Sequence, residues 1–234
     1  MNQIHELFIH PFADFAFMRR ALVACLALAL GAGPVGALLI LRRMSLTGDA
    51  LSHAILPGAA LGFLIGGLSL PAMSLGGAAA GLVVAVLAGM ISRFTTERED
   101  ASLAALYLIA LALGVLIVSL RGSSVDLLQV LFGSVLAIDG PSLILVAAIA
   151  SVTLIVMALI YRPLVADCVD PGFLRAVGGR GGLWHGIFMG LVVLNLIAGF
   201  QALGTLMAVG LMMLPAAAAR FWGCLLYTSP SPRD

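Results

Sequence analysis

The feature that most constrains this chain is a succession of apolar runs, each about twenty residues long, broken only by short polar stretches. About twenty residues at 1.5 Å each cover the ~30 Å thickness of a bilayer's hydrocarbon core. By that measure the spans read as 20–41, 48–68, 72–93, 101–120, 142–161, 183–199 and 202–220. One further apolar stretch, 126–138 (DLLQVLFGSVLAI), is too short to cross and reads as a re-entrant or interfacial helix. Irregular backbone at membrane depth is tolerated only where protein or a water-filled cavity covers it, so this segment already points to a pathway. The expected fold is an all-α integral membrane protein: a polytopic bundle of about seven transmembrane helices plus the short re-entrant helix.

Composition agrees. Hydrophobic residues make up 62% of the 234 and charged residues 10%, with a mean hydropathy of +1.16. A soluble domain carries roughly a quarter of its residues charged. The net charge of +1 supplies no basic field for nucleic acid. Cys25, Cys168 and Cys224 lie far apart with no Cys-x-x-Cys spacing, which argues against a disulfide framework and a thiolate metal site. The first residues are a poor signal peptide, because His5, Glu6, His10 and Asp14 precede Arg19-Arg20 and the next apolar run has no small-residue cleavage pattern.

The domain reading is an N-terminal interfacial segment over 1–16, one membrane domain over 17–223, and a tail over 224–234. The tail (CLLYTSPSPRD) resembles a translated transposase adapter, so it is expected to be non-native and the natural chain to be cut short near Gly223. Basic residues set orientation. With 126–138 re-entrant, Arg42, Arg43, Arg93, Arg98, Arg162, Arg175 and Arg180 share one side, against Arg19, Arg20 and Arg121 on the other. The richer side is expected to be cytoplasmic and the N-terminus external.

Asp49 and His53 stand four apart inside the second span, so a helix puts them on one face within reach of a shared ion. An acid at the bilayer centre costs at least ~2.5 kcal/mol and normally faces a cavity or a partner. Carboxylate oxygen plus imidazole nitrogen suits zinc or manganese better than magnesium or calcium. One pair supplies only two ligands; two copies of the helix across a dimer axis would supply four. The spacing alone favours the plainer reading, an Asp N-cap at the helix start with a histidine bonded to a neighbouring helix. Gly58, Gly62 and Gly66 follow at spacing four, and Gly77 and Gly81 repeat it, a pattern for close helix packing. Pro57, one turn after His53, removes a backbone donor and invites a kink.

Tyr161–Gly182 is the longest polar stretch, and its Pro171 and glycines suggest a short helix with defined ends. His5 and His10 read as interfacial or solvated, His185 as a polar cap, and Met207, Met212 and Met213 as lipid- or core-facing. No phosphate-binding Gly-rich loop with a Lys, no His-Glu-x-x-His and no Gly-x-Ser-x-Gly is present, so ATP hydrolysis by the usual machinery is excluded for this chain.

From about Phe17 to Trp222 the chain resembles the permease subunits of zinc/manganese ABC importers. The resemblance rests on Leu38–Arg43 leading into Gly48-Asp49-Ala50-Leu51-Ser52-His53-Ala54-Ile55-Leu56-Pro57-Gly58, on Glu99-Asp100-Ala101 with Ala112–Leu116, and on Leu131-Phe132-Gly133-Ser134. It continues through Asp170–Gly178, Gln201–Gly204 and Leu214–Ala217. It implies a homodimeric or pseudo-symmetric permease of the bacterial cytoplasmic (inner) membrane, driven by cytoplasmic ATP-binding subunits and fed by an extracytoplasmic metal-binding protein. It also implies that Asp49 and His53 are pathway ligands for a transported zinc or manganese ion, with no permanently bound cofactor. By the same resemblance Asp170–Gly178, with Asp170, Pro171, Arg175, Ala176 and Gly178, is the helix that couples to the ATPase. There the chain departs from the family pattern: Gly172-Phe173-Leu174-Arg175 stands where an acidic residue followed by Ala is usual. The alternatives are an intramembrane metal-dependent enzyme, for which no nucleophile motif or third ligand is evident, and a passive channel or scaffold.

Overall fold

A computed structural model describes residues 14–67, 69–94, 99–120, 138–169 and 181–227. These residues form α-helices and no strand: α1 Ala16–Leu41, α2 Ser45–Gly66, α3 Leu70–Phe94, α4 Glu99–Leu120, α5 Gly140–Val169, α6 Gly181–Leu203 and α7 Thr205–Tyr227. Five of them are long and apolar enough to cross a bilayer, and α4 and α7 carry the shorter apolar helical stretches Ala101–Ile117 and Met207–Arg220. The expected spans 20–41, 72–93, 101–120, 142–161 and 183–199 each fall within one helix; 48–68 runs past the end of α2 at Gly66, and 202–220 begins on the last two residues of α6. The break between the last two comes at Gly204, whose φ of +81° is a left-handed conformation that glycine adopts at little cost.

The bundle is organised around α6. Two-thirds of its apolar window (67%) is buried within the chain, against 28% for α3 and for α5. The outer faces of α3 and α5 instead present Leu75, Val86, Ile144, Ile155 and Leu159, exposed side chains suited to lipid. Between α5 and α6, buried Asn195 donates its side-chain N–H to Thr153 Oγ1 (2.9 Å) and to the Leu191 carbonyl (2.8 Å). Without water as competitor, such bonds act as interhelical glue.

Small residues set the tightest crossing. A Cβ placed on Gly58 would collide with the Gly76 carbonyl, and one on Gly76 with the Gly58 carbonyl. One crossing level further along, Gly62 faces the Ala72 carbonyl in the same way, and Gly66 meets Ala72 Cβ at 2.6 Å. Gly77 and Gly81 face Ile55, and Gly81 also Val193. Thus α3 runs antiparallel to α2, whereas α4 runs parallel to it, with Tyr107 beside His53 and Gly114 against Pro57.

The turn from α1 into α2 is short and fixed. Met44 N–H bonds the Leu39 carbonyl (2.9 Å) and Arg43 N–H the Ile40 carbonyl (3.0 Å), with Arg43 itself left-handed at φ +60°. This is a helix-ending motif that usually carries glycine at the left-handed position. Gly31 of α1 lies against Ala150 of α5, and Arg42 just past the end of α1 pairs with Asp167 near the end of α5, so α1 and α5 run parallel and start on the same side. The parallel α4 therefore ends on the side where α5 begins. The expected re-entrant segment 126–138 lies outside the described residues except for Ile138.

One expectation needs revision. The span expected over 142–161 does not end at Tyr161: α5 runs on to Val169, into the polar stretch. Pro163 sits inside the helix and removes one backbone bond. The added turns are held by side chains instead: Leu164 is fully buried, and Asp167 and Cys168 bond Arg42 at the end of α1.

Candidate functional site

Asp49 and His53 lie on the first turns of α2, on a face that the other described residues leave partly uncovered. The Asp49 side chain is 58% exposed and that of His53 29%. Leu46, Leu61 and Ile65 on α2 are also exposed. The opposite face is anchored: Thr47, Leu51 and Ala54 are wholly buried, and Gly48 sits against the methyl ends of Met212 and Met213 of α7. Any side chain at Gly48 would meet those methyls at 2.8–2.9 Å. Close packing on one side thus orients the polar pair away from the bundle.

His53 Nε2 stands 3.8 Å from Asp49 Oδ1. That is too long for a hydrogen bond. Two donors each about 2.1 Å from one ion stand roughly 3.0–3.4 Å apart in tetrahedral or octahedral coordination. A movement of a few tenths of an ångström would therefore let both reach a shared cation. The His53 ring lies 5.8 Å, centroid to centroid, from that of Tyr107 on α4. Pro57 has no N–H to offer the His53 carbonyl, so that oxygen is released from the helix ladder beside the imidazole. Ser52 turns its hydroxyl back to the Asp49 carbonyl (2.7 Å).

Among the described residues, the buried side-chain polar atoms without a hydrogen-bond partner are Thr47 Oγ1, His53 Nδ1 and Ser102 Oγ. All belong to the parallel pair α2 and α4. Also among the described residues, no group of three or more His, Cys, Asp or Glu side chains converges as a metal site. Asp49 and His53 thus offer one oxygen and one nitrogen donor on a partly exposed face.

The remaining candidate residues, Asp170, Pro171, Arg175, Ala176 and Gly178, lie outside the described residues. The helices on either side of them are described, and they converge on Arg42. Its guanidinium donates to Asp167 Oδ2 (2.9 Å) and Cys168 Sγ (3.2 Å) on α5, and lies 3.1 Å from His185 Nδ1 on α6. It also sits over the Phe188 ring, 4.9 Å from its centroid. Sequence reasoning had counted Arg42 only as a marker of the cytoplasmic side and His185 only as a polar cap.

Residues 14–227 match the family model described as the ABC 3 transport family. The chain belongs to that family. It is a multi-pass membrane permease, a transport component rather than an enzyme. The manganese import system permease protein ScaB of Streptococcus parasanguinis is 33% identical over 227 residues, covering 95% of this chain and 80% of that protein. The manganese transport system membrane protein MntC of Halalkalibacterium halodurans is 33% identical over 213 residues, 91% of this chain and 72% of its own. The chelated iron transport system membrane protein YfeD of Yersinia pestis is 30% identical, with 94% and 72% covered. A chain of PsaBC from Streptococcus pneumoniae, solved in complex with Fab, superposes with a TM-score of 0.79 at 30% identity, covering 95% of this chain and 77% of that one.

Proposed function

We propose that this permease imports a divalent transition-metal ion, manganese foremost, across the bacterial cytoplasmic membrane, and that Asp49 and His53 hold the ion in transit. The observation that carries this reading is the pair itself: an oxygen and a nitrogen donor 3.8 Å apart on the partly uncovered face of a membrane helix, too far apart to satisfy each other. Two ligands bind an ion weakly. A second copy of the chain that packed its α2 face against this one would raise the count to four and cover exposed Leu46, one turn before the pair, as well. A mixed oxygen/nitrogen set is also weak enough to release its cargo, as a carrier must.

Manganese is favoured because the ScaB and MntC relatives are named for it. Zinc satisfies the same donors, and iron is the second reading because of the YfeD relative. ATP-binding subunits on the cytoplasmic side would drive alternating access through the segment around Asp170–Gly178, and an extracytoplasmic metal-binding protein would deliver the ion.

The test is radioactive manganese uptake in cells lacking other importers. Asp49→Ala and His53→Ala should each lower uptake by about tenfold or more, since even groups that only support a metal ligand cost 10–100-fold when removed. Normal uptake by the double variant at normal membrane expression would sink the assignment.

A further inference from the structure

We infer that Arg42 is a positioning residue that links the start of the metal-bearing helix α2 to the inner ends of α5 and α6; this rests on the import function proposed above. A guanidinium buried to 7% exposure is costly unless its donors and charge are met. Here they are met by groups from two other helices: Asp167 and Cys168 close to the end of α5, and His185 and Phe188 in the first turns of α6. The planar fork of arginine can engage all of these at once, which the single ammonium of lysine cannot.

The same residue ends α1. Backbone bonds lock the turn that follows it, Met44 is buried, and α2 begins at Ser45. The path from the Asp167 carboxylate to Asp49 therefore runs through the Arg42 ion pair and a short turn closed by backbone bonds from Arg43, Met44 and Thr47. A shift of the α5 and α6 ends has a direct route to the ligand pair. These two ends are also what the chain between α5 and α6, the proposed ATPase-docking segment, is attached to. A simple structural clip would make the same bonds, but would have no effect on how much metal moves per ATP.

The experiment uses the complete transporter, permease with its ATP-binding subunits and metal-binding protein, in proteoliposomes. Manganese uptake and ATP hydrolysis are measured in the same vesicles for wild type, Arg42→Lys and Asp167→Asn. Both substitutions keep size, and the pair guards against one of them failing to fold. The expected result is retained ATP hydrolysis with uptake per ATP lowered at least about fivefold, the lower end of typical intersite coupling. The exchange of Arg42→Asp with Asp167→Arg should regain part of what Arg42→Asp alone loses. An unchanged uptake-to-hydrolysis ratio, or uptake and hydrolysis falling in proportion, would overturn the inference. Wild-type vesicles that carry no manganese would instead remove the import reading itself, and the inference with it.

Discussion

Replacing Gly58 with alanine should force α2 and α3 apart at the point where they touch most closely. The new methyl would lie 2.5 Å from Ala80 Cβ and 2.7 Å from the Gly76 carbonyl carbon. Ordinary carbon–carbon contact is about 3.5–4.0 Å, so relief needs close to 1 Å of separation. The obstacle is backbone on a neighbouring helix, so no side-chain rotamer can absorb it. Overpacking of this kind costs about 1–3 kcal/mol, and a rigid neighbour places it in the upper half of that range. Alanine recovers about 0.5–1 kcal/mol through its better helix propensity. The net is a destabilisation of about 2 kcal/mol, roughly a 30-fold shift in the unfolding equilibrium.

Thermal unfolding in detergent should register this as a melting point about 4–8 °C below wild type. Gly33→Ala is the control, because a Cβ there has nothing within 4 Å; it should melt at or slightly above wild type. Gly76→Ala should behave like Gly58→Ala, and the double variant should cost less than the two together, because one displacement relieves both clashes. A Gly58→Ala protein that melts with wild type, or strict additivity in the double, would show that the crossing is looser than described.

Removing the bond between α5 and α6 by Thr153→Val should cost about 0.6 kcal/mol, the usual worth of an interhelical bond in a membrane, while Asn195→Leu should cost more because Gly31 lies against the Asn195 side-chain oxygen; denaturant titration in micelles checks the order. Asp139 caps α5, and hydrogen bonds from the Ser142 hydroxyl and backbone N–H (3.0 Å) hold its carboxyl below the ordinary value of 3.8. A depressed acid stabilises the fold above its unfolded value and loses that contribution as pH falls through the folded one, so wild type should lose stability below about pH 4 in a way that Asp139→Asn, which keeps the cap, does not; equal acid sensitivity in the two would refute the assignment.

Spans were legible in the sequence because their cause is local: an apolar run of the right length must be a helix in lipid, whatever it packs against. The Asp49/His53 pair was legible for a similar reason, since spacing four fixes a shared face before any tertiary contact is known. What could not be read was anything that depends on how helices cross. The glycine spacing pointed to Gly77 and Gly81 as the repeat, but the residue that meets Gly58 carbonyl to Cα is Gly76, which only the crossing register selects. Arg42 was hidden for a longer-range reason. Its partners Asp167 and Cys168 are brought alongside only because α5 continues past Pro163, and a stretch of mixed polar composition after a proline reads locally as loop.

The polar groups also divide the bundle in a way that bears on transport. Directional side-chain bonds join α1 to α5 and α6 through Arg42, α5 to α6 through Asn195, and α3 to α6 through Gln201 and Ser74 (3.0 Å). Each of these involves α6, the most buried helix, or meets it through Arg42. The buried polar atoms that lack partners among the described residues belong instead to α2 and α4. Those two helices meet each other and their neighbours through apolar packing: buried Leu51, Ile55 and Leu103 in the core, Gly58 and Gly62 on α3, Gly114 on Pro57, and Gly48 under the α7 methionines. Dispersion contacts can be exchanged for others at little cost when a helix slides or rotates, whereas breaking a buried hydrogen bond leaves two polar groups unmet. A carrier that alternates between two openings needs a fixed frame and a part that re-seats. The bonded helices around α6 suit the frame. The α2–α4 pair, which carries Asp49 and His53, the proposed ligands, and the buried polar atoms left without partners among the described residues, suits the part that moves.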